Sequence, residues 1–187
     1  MNMQFRGAAL LSILAAGVLS GCLFSPEKKA PISVPPPFYP APKNINQALL
    51  NMIAAYEARD SVGTENIYDV AYEGVSIDLK DQTPTVTLNR LDERHHVGRL
   101  KLDPNIVSVS LNFGPQSAWV RIPPLGGDPA DWAVLQIDQA NIQILDILTG
   151  ITSQAQNNKM TYTFIPTVTA PGDTTWAIRR WEEIRSP

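Results

Sequence analysis

Residues 133–149 read Ala-Val-Leu-Gln-Ile-Asp-Gln-Ala-Asn-Ile-Gln-Ile-Leu-Asp-Ile-Leu-Thr, and their alternation decides what kind of sheet this chain builds. Leu135 and Ile137 share one parity, Ile142 and Ile144 the other, and Leu145 and Ile147 return to the first. A one-residue slip on a strand turns its apolar set from core to solvent. One long strand therefore carries this pattern only with a bulge or turn near 138–141, and a second change of parity falls near Ile144. Bulges bend and twist the strand that bears them, so the predicted sheet is strongly curved.

Further strands are predicted on both sides of this segment, at 106–113, 117–122, 160–168 and 174–184, from their β-branched and aromatic alternation. Between them, Gly126-Gly127-Asp128-Pro129 lacks the Gly-x-x-x-x-Gly-Lys pattern of a phosphate loop and reads as a turn. The last strand holds Trp176 and Ile178 on one parity and Trp181 on the other. Either the two indoles face opposite sides, or a bulge at Arg179 and Arg180 re-aims the second. Arg179, Arg180 and Arg185 form a small basic run that Glu182 and Glu183 neutralise locally. Upstream, residues 74–80 read as a strand with Val75, Ile77 and Leu79 on its core side and Asp78 on its solvent side.

Before that strand the period changes to 3.6. Asn44 with Gln47 three residues on forms a partial capping box, followed by Ile45, Leu49, Met52, Ile53 and Tyr56 at helical spacing to about Asp60. A shorter helix is expected from Thr64 through Ile67, Val70 and Ala71, ending before Gly74. A third is expected over 87–98, on Leu88, Leu91 and His95. The order helix, helix, strand, helix and then about five strands predicts an α+β fold. In it, N-terminal helices pack on a curved, mostly antiparallel sheet of about six strands.

The whole chain has 187 residues, 44% hydrophobic and 18% charged, with net charge −3. That balance is ordinary for one globular domain and lacks the basic excess of a nucleic-acid binder. One cysteine excludes an internal disulfide framework, and with two histidines it leaves no Cys/His zinc set. No metal or cofactor is expected.

The single cysteine has a distinctive address. Arg6 precedes a small and apolar run from Gly7 to Gly21, interrupted only by Ser12 and Ser20. As a helix it would be about 22 Å long, too short for a bilayer core of about 30 Å, and it reads as a secretory signal peptide. The ending Leu19-Ser20-Gly21-Cys22 resembles the lipobox of bacterial lipoproteins. That resemblance implies cleavage before Cys22, attachment of a diacylglyceryl group to its thiol, and a membrane anchor. Leu23, in place of the Asp that commonly retains such proteins at an inner membrane, implies the outer membrane facing the periplasm in a two-membraned cell, and otherwise the cell surface. Seven prolines between Pro26 and Pro42 favour extended polyproline II, a stalk of roughly 65 Å for residues 23–43, unless Phe38 and Tyr39 fold back. The expected organisation is a signal peptide at 1–21, lipidated Cys22 and stalk at 22–43, and one domain at 44–187.

The domain's own resemblance rests on Ala54-Ala55-Tyr56-Glu57-Ala58-Arg59-Asp60 and on Trp176-Ala177-Ile178-Arg179-Arg180-Trp181-Glu182-Glu183. Over roughly 44–184 the chain resembles the nuclear transport factor 2-like superfamily, a cone-shaped fold, and more closely bacterial lipoproteins built on that domain. The resemblance implies a homodimer through the sheet and a cavity for a small hydrophobic ligand or, in the superfamily's enzymes, for a cavity acid or base. Candidate catalytic groups are His95, His96, Asp92 and Asp138. Asp92 and His96 are i, i+4 neighbours on the predicted helix, but adjacent histidines point about 100° apart, so the two cannot share one metal. Asp138 coincides with the inferred bulge. Tyr56, Trp119, Trp176 and Trp181 are the candidates for a ligand pocket or sheet face. The function expected is binding of a small ligand or an envelope protein partner, the alternatives being an isomerase-, dehydratase- or hydrolase-type enzyme and an accessory subunit of an envelope assembly.

Overall fold

Asn44 caps the first helix as its spacing predicts: its Oδ1 accepts from the Gln47 amide at 2.8 Å. In this computed structural model, which describes residues 37–78, 84–148 and 152–185, helix α1 spans Ile45–Glu57 and buries Ile45, Ala48, Leu49, Met52 and Ala55 along one stripe. The helix closes with Arg59 at φ 52°, while the Arg59 and Asp60 amides return to Tyr56 and Ala55 oxygens at 2.9 Å each. Glycine usually fills that left-handed position. Here the guanidinium that Arg59 carries reaches the Ile106 carbonyl at 2.8 Å, so a side-chain bond offsets the backbone strain. Asp60 then caps α2, Ser61–Ile67, accepting from the Gly63 amide at 3.0 Å.

Helix α2 ends earlier than expected, and this is the first correction. Residues 68–73 are not helix: strand β1 runs Tyr68–Asp78, and Val70 is exposed. Seven helical residues are too few to hold against strand pairing, and β1 pairs along β7, Asp173–Arg185, in parallel. The second correction concerns which face of β1 looks inward. Tyr72, Gly74 and Ser76 are buried while Val75 and Ile77 are only half-buried, the reverse of the apolar-side reading. The side chains of Asp78 and Arg185 lie outside the described residues, as do residues 1–36 with the expected signal peptide, Cys22 and most of the stalk.

The third helix is also displaced. Strand β2 occupies Pro84–Asn89 and helix α3 spans Arg90–Leu102. Asn89 Oδ1 accepts from the Leu91 and Asp92 amides at 2.8 and 3.0 Å, and Asp92 Oδ2 accepts from the Asn89 amide at 3.0 Å. This capping box starts the helix three residues later than predicted, leaving Leu88 on a strand and Leu91 half exposed. The buried residues of α3 are Glu93 and Val97, so the supposed Leu88–Leu91–His95 stripe is not its inner face.

The remaining strands are β3, Ile106–Asn112; β4, Val120–Ile122, preceded by a short 3-10 turn at Gln116–Ala118; β5, Ala133–Asp146; and β6, Thr152–Ala170. They form one sheet of seven strands in the order β2-β1-β7-β6-β5-β3, with β4 also paired to β5. Every pairing is antiparallel except β1 with β7. The bulge expected in β5 is present: its register against β6 shifts between Ile137 and Ala140 and again between Ala140 and Ile142. In β7, Thr163 of β6 faces Arg180 and Phe164 faces Ile178, which leaves Arg179 as an extra residue. Beyond that bulge Trp181 joins Trp176 and Ile178 against the core.

Helix α1 packs on α2, β3 and β7, and α3 packs on α2, β1 and β2. Beneath them Leu49, Met52, Phe164, Met160, Ile137 and Ile178 are all but inaccessible to solvent. Residues 37–43 lie along this domain. Asn51 donates to the Pro40 carbonyl at 2.7 Å, the Trp176 amide to that of Pro42 at 3.0 Å, and the Tyr39 hydroxyl to Asp60 at 3.1 Å, while Lys43 pairs with Asp173. Tyr39 thus folds back and Phe38 stays exposed. In the basic run, Arg180 is bound to Asp128 of the 126–129 turn at 2.6 Å and to Glu182 at 3.2 Å, and Arg179 lies 3.9 Å from Asp69.

Candidate functional site

The sheet and helices α1 and α3 border an open-mouthed cavity of about 600 Å³. One side is apolar. Val109 and Leu111 of β3 and Ile142 and Ile144 of β5 line it, with Met52 and Leu100 from the helices above. The other side, across β1, β7 and β6, is aromatic and acidic, with Tyr68, Trp181, Glu183 and Tyr162 facing Tyr56 of α1 and Glu93 of α3.

Glu93 is 3% exposed. The hydroxyl of Tyr56 donates to its Oε2, and that of Tyr72 donates to its Oε1 at 2.9 Å. Burial raises the Glu93 pKa above the ordinary carboxyl range; the two phenol bonds oppose that rise and Asp92 adds to it. The same burial pushes Tyr56, Tyr68, Tyr72 and Tyr162 well above 10, because phenolate is as costly as carboxylate in apolar surroundings. The phenols are therefore neutral hydrogen-bond donors at any physiological pH. The rings of Tyr68 and Tyr72 meet at a 36° tilt with centroids 4.1 Å apart.

A second carboxyl group, Glu183, is 4% exposed. Its Oε2 accepts from Ser76 Oγ at 3.0 Å, and its Oε1 from Asn158 Nδ2 at 2.5 Å. The Arg179 bulge places it there, since without the extra residue Trp181 and Glu183 would face away from Ile178. Gly74 makes room on the adjoining strand. A Cβ at that position would stand 2.6 Å from the Tyr72 hydroxyl and 3.0 Å from Cε3 of Trp181. The indole Nε1 of Trp181 is buried without an acceptor.

Several sequence candidates meet at this cavity. Tyr56 and Trp181 line it, as do Asp92, His95 and His96 at the α3 side. Asp92 spends an oxygen on its helix cap, and His95 is exposed. His96 is half-buried with its pKa lowered, first by burial and then by Arg99, which favours the neutral imidazole. Asp138 is elsewhere, exposed on the β5 bulge and bonded to Gln136 at 2.7 Å. Trp119 and Trp176 pack against the core without lining the cavity, the former donating its indole N–H to the Phe113 carbonyl at 2.8 Å. Among the described residues no three His, Cys, Asp or Glu side chains are grouped to hold a metal ion. No helix among them is long and apolar enough to cross a membrane.

Sequence reasoning missed Glu93, Glu183, Tyr68, Tyr72 and Tyr162. Glu93 stands in the charged run Asp92-Glu93-Arg94 and reads as solvated. Glu183 stands beside arginines and reads as their local neutraliser. The parity change between Ile178 and Trp181 was the one available signal, because the bulge that turns Trp181 inward turns Glu183 with it.

No protein-family model matches this sequence, and no curated protein matches it. Solved structures do resemble the fold. An NTF2-like protein with a cystatin-like fold from Novosphingobium aromaticivorans aligns over 75% of this chain and 79% of its own, with TM-score 0.52 and 12% identity. An NTF2-like superfamily protein from Salmonella enterica serovar Typhimurium aligns over 76% and 89%, with TM-score 0.52 and 10% identity. ActVI-ORFA from Streptomyces coelicolor aligns over 76% and 94%, with TM-score 0.50 and 8% identity. The domain has the NTF2-like, cystatin-like α+β fold. At these identities the likeness is one of fold.

Proposed function

We propose that this is a lipid-anchored envelope protein, tethered through Cys22, whose domain binds a small and largely apolar ligand in the cavity between α1, α3 and the sheet. The observation that carries the reading is the cavity itself. At about 600 Å³ it falls within the range of small-molecule sites, and it combines an apolar wall with a few convergent polar groups. The anchor is supported by Leu19-Ser20-Gly21-Cys22 and tested by palmitate labelling, which the Cys22→Ser variant should lose. For the ligand, native mass spectrometry of protein purified from cells should show a reproducible small adduct. The variant Leu111→Trp, which fills the cavity, should lack it. Bare protein in both cases would overturn the binding reading.

One observation favours a second reading, that of an acid–base enzyme. Two buried carboxyl groups, Glu93 and Glu183, wall one cavity, and the rise in the Glu93 pKa is in the direction that suits a carboxyl group to general acid–base work. In D₂O such an enzyme would place deuterium on a carbon of its bound ligand, and Glu93→Gln would not.

A further inference from the structure

Hydrogen-bond direction says what kind of ligand the polar side of the cavity suits. Each phenol has one proton to give, and Tyr56 and Tyr72 both give theirs to Glu93. What Glu93 and Tyr56 present to a ligand is therefore lone pairs, with the indole N–H of Trp181 as a buried donor that has no acceptor. Glu183 repeats the arrangement, with its oxygens accepting from Ser76 and Asn158. An acceptor-rich wall is poorly matched to a ligand carbonyl or alkoxide and well matched to a positively charged group. The charges agree: three carboxyl groups (Asp92, Glu93 and Glu183) line the cavity against one guanidinium, that of Arg99. Tyr56, Tyr68, Tyr162 and Trp181 complete this end, and aromatic rings attract ammonium groups through their quadrupoles, Trp most strongly. The sheet order β2-β1-β7-β6-β5-β3 then sets the apolar wall of β5 and β3 to one side of the acidic and aromatic one.

We propose that the ligand is a hydrophobic cation, a small substituted ammonium compound whose charged head lies between Glu93, Glu183 and the aromatic side chains, with its apolar part along Val109, Leu111, Ile142 and Ile144. This rests on the reading of the cavity as a ligand site and adds the sign of the ligand's charge. A cation beside Glu93 also compensates the burial that raises its pKa, so the head group and the carboxylate stabilise each other.

The test compares three probes on the full-length protein by calorimetry and by the fluorescence of its tryptophans: benzyltrimethylammonium, its neutral carbon isostere neopentylbenzene, and the anion phenylacetate. The cation should bind at least tenfold more tightly than the isostere, with phenylacetate weakest. Glu93→Gln, nearly isosteric, should narrow the gap between cation and isostere without closing it, because Glu183 and the aromatic rings remain. Equal or tighter binding of the isostere, or a preference for the anion drawn by the unpartnered Trp181 indole N–H, overturns the proposal and leaves the binding reading standing. Saturable binding of none of the three overturns both. The ranking on the wild-type protein decides the matter even where the variant fails to fold.

Discussion

At Gly74 the absence of a side chain is what lets the site close. The Tyr72 hydroxyl occupies the space a methyl group would need, and the Trp181 ring borders it. Gly74→Ala should therefore displace Tyr72 from Glu93 and destabilise the domain by about 1–3 kcal/mol, the usual range for overpacking, as measured by urea unfolding. Tyr72→Phe removes only the hydroxyl. It should cost about 1–2 kcal/mol and, by taking one donor from the carboxylate, raise the Glu93 pKa further, which carbon-13 NMR of the carboxyl group would read. The sign of the pH dependence follows. Glu93 holds its proton more tightly folded than unfolded, so its contribution to stability is full below the ordinary carboxyl pKa and is lost as pH rises through the raised one. Glu93→Gln should lack that loss. These residues were illegible in the sequence for a physical reason: burial is what makes Glu93 and Glu183 special, and long-range packing, not their charged neighbours Asp92, Arg94 and Glu182, sets it.

Elements divide differently. Helix α1 was legible because its cap and its apolar stripe are local, and the bulge in β5 because parity is local. Helix α3 was misplaced because Thr85-Val86-Thr87 leads without a break into a polar helix whose inner face has few apolar residues. Its start is set by Asn89, and Asn89→Ala should cost about 1 kcal/mol and speed hydrogen exchange at the Leu91 and Asp92 amides. Equal exchange in both proteins would mean that tertiary packing, rather than the cap, holds this end. The fate of residues 68–73 was set by neither local pattern. A seven-residue α2 has little stability of its own, and pairing with β7, more than a hundred positions away in the chain, takes those residues into the sheet.

On the scale of the molecule, three buried tyrosines and the half-buried Tyr56 gather around one carboxyl group. Each has its pKa raised well above 10, so above pH 10 the unfolded chain releases protons that the folded one retains. Stability then falls as pH rises, by about 1.4 kcal/mol per pH unit for each phenol. Thermal unfolding followed from pH 8 to 11 should show a steep loss above about 10, together with phenolate absorbance that appears on unfolding and not before. Absorbance rising in the folded baseline would mean that the cavity admits hydroxide or opens.

The sequence by itself determined the α+β class, the cap and stripe of the first helix, and the places where β5 and β7 break parity, since each of these depends on residues within a few positions of one another. Only the tertiary structure decided which face of β1 looks inward, that Glu93 and Glu183 are buried in one cavity, and that Tyr56 and Tyr72 turn their hydroxyls to the first of them. Those outcomes depend on the parallel pairing of β1 with β7 and on the seating of α3 over both. They are long-range choices, settled by which arrangement buries the most apolar surface while leaving every buried carboxylate oxygen with a donor.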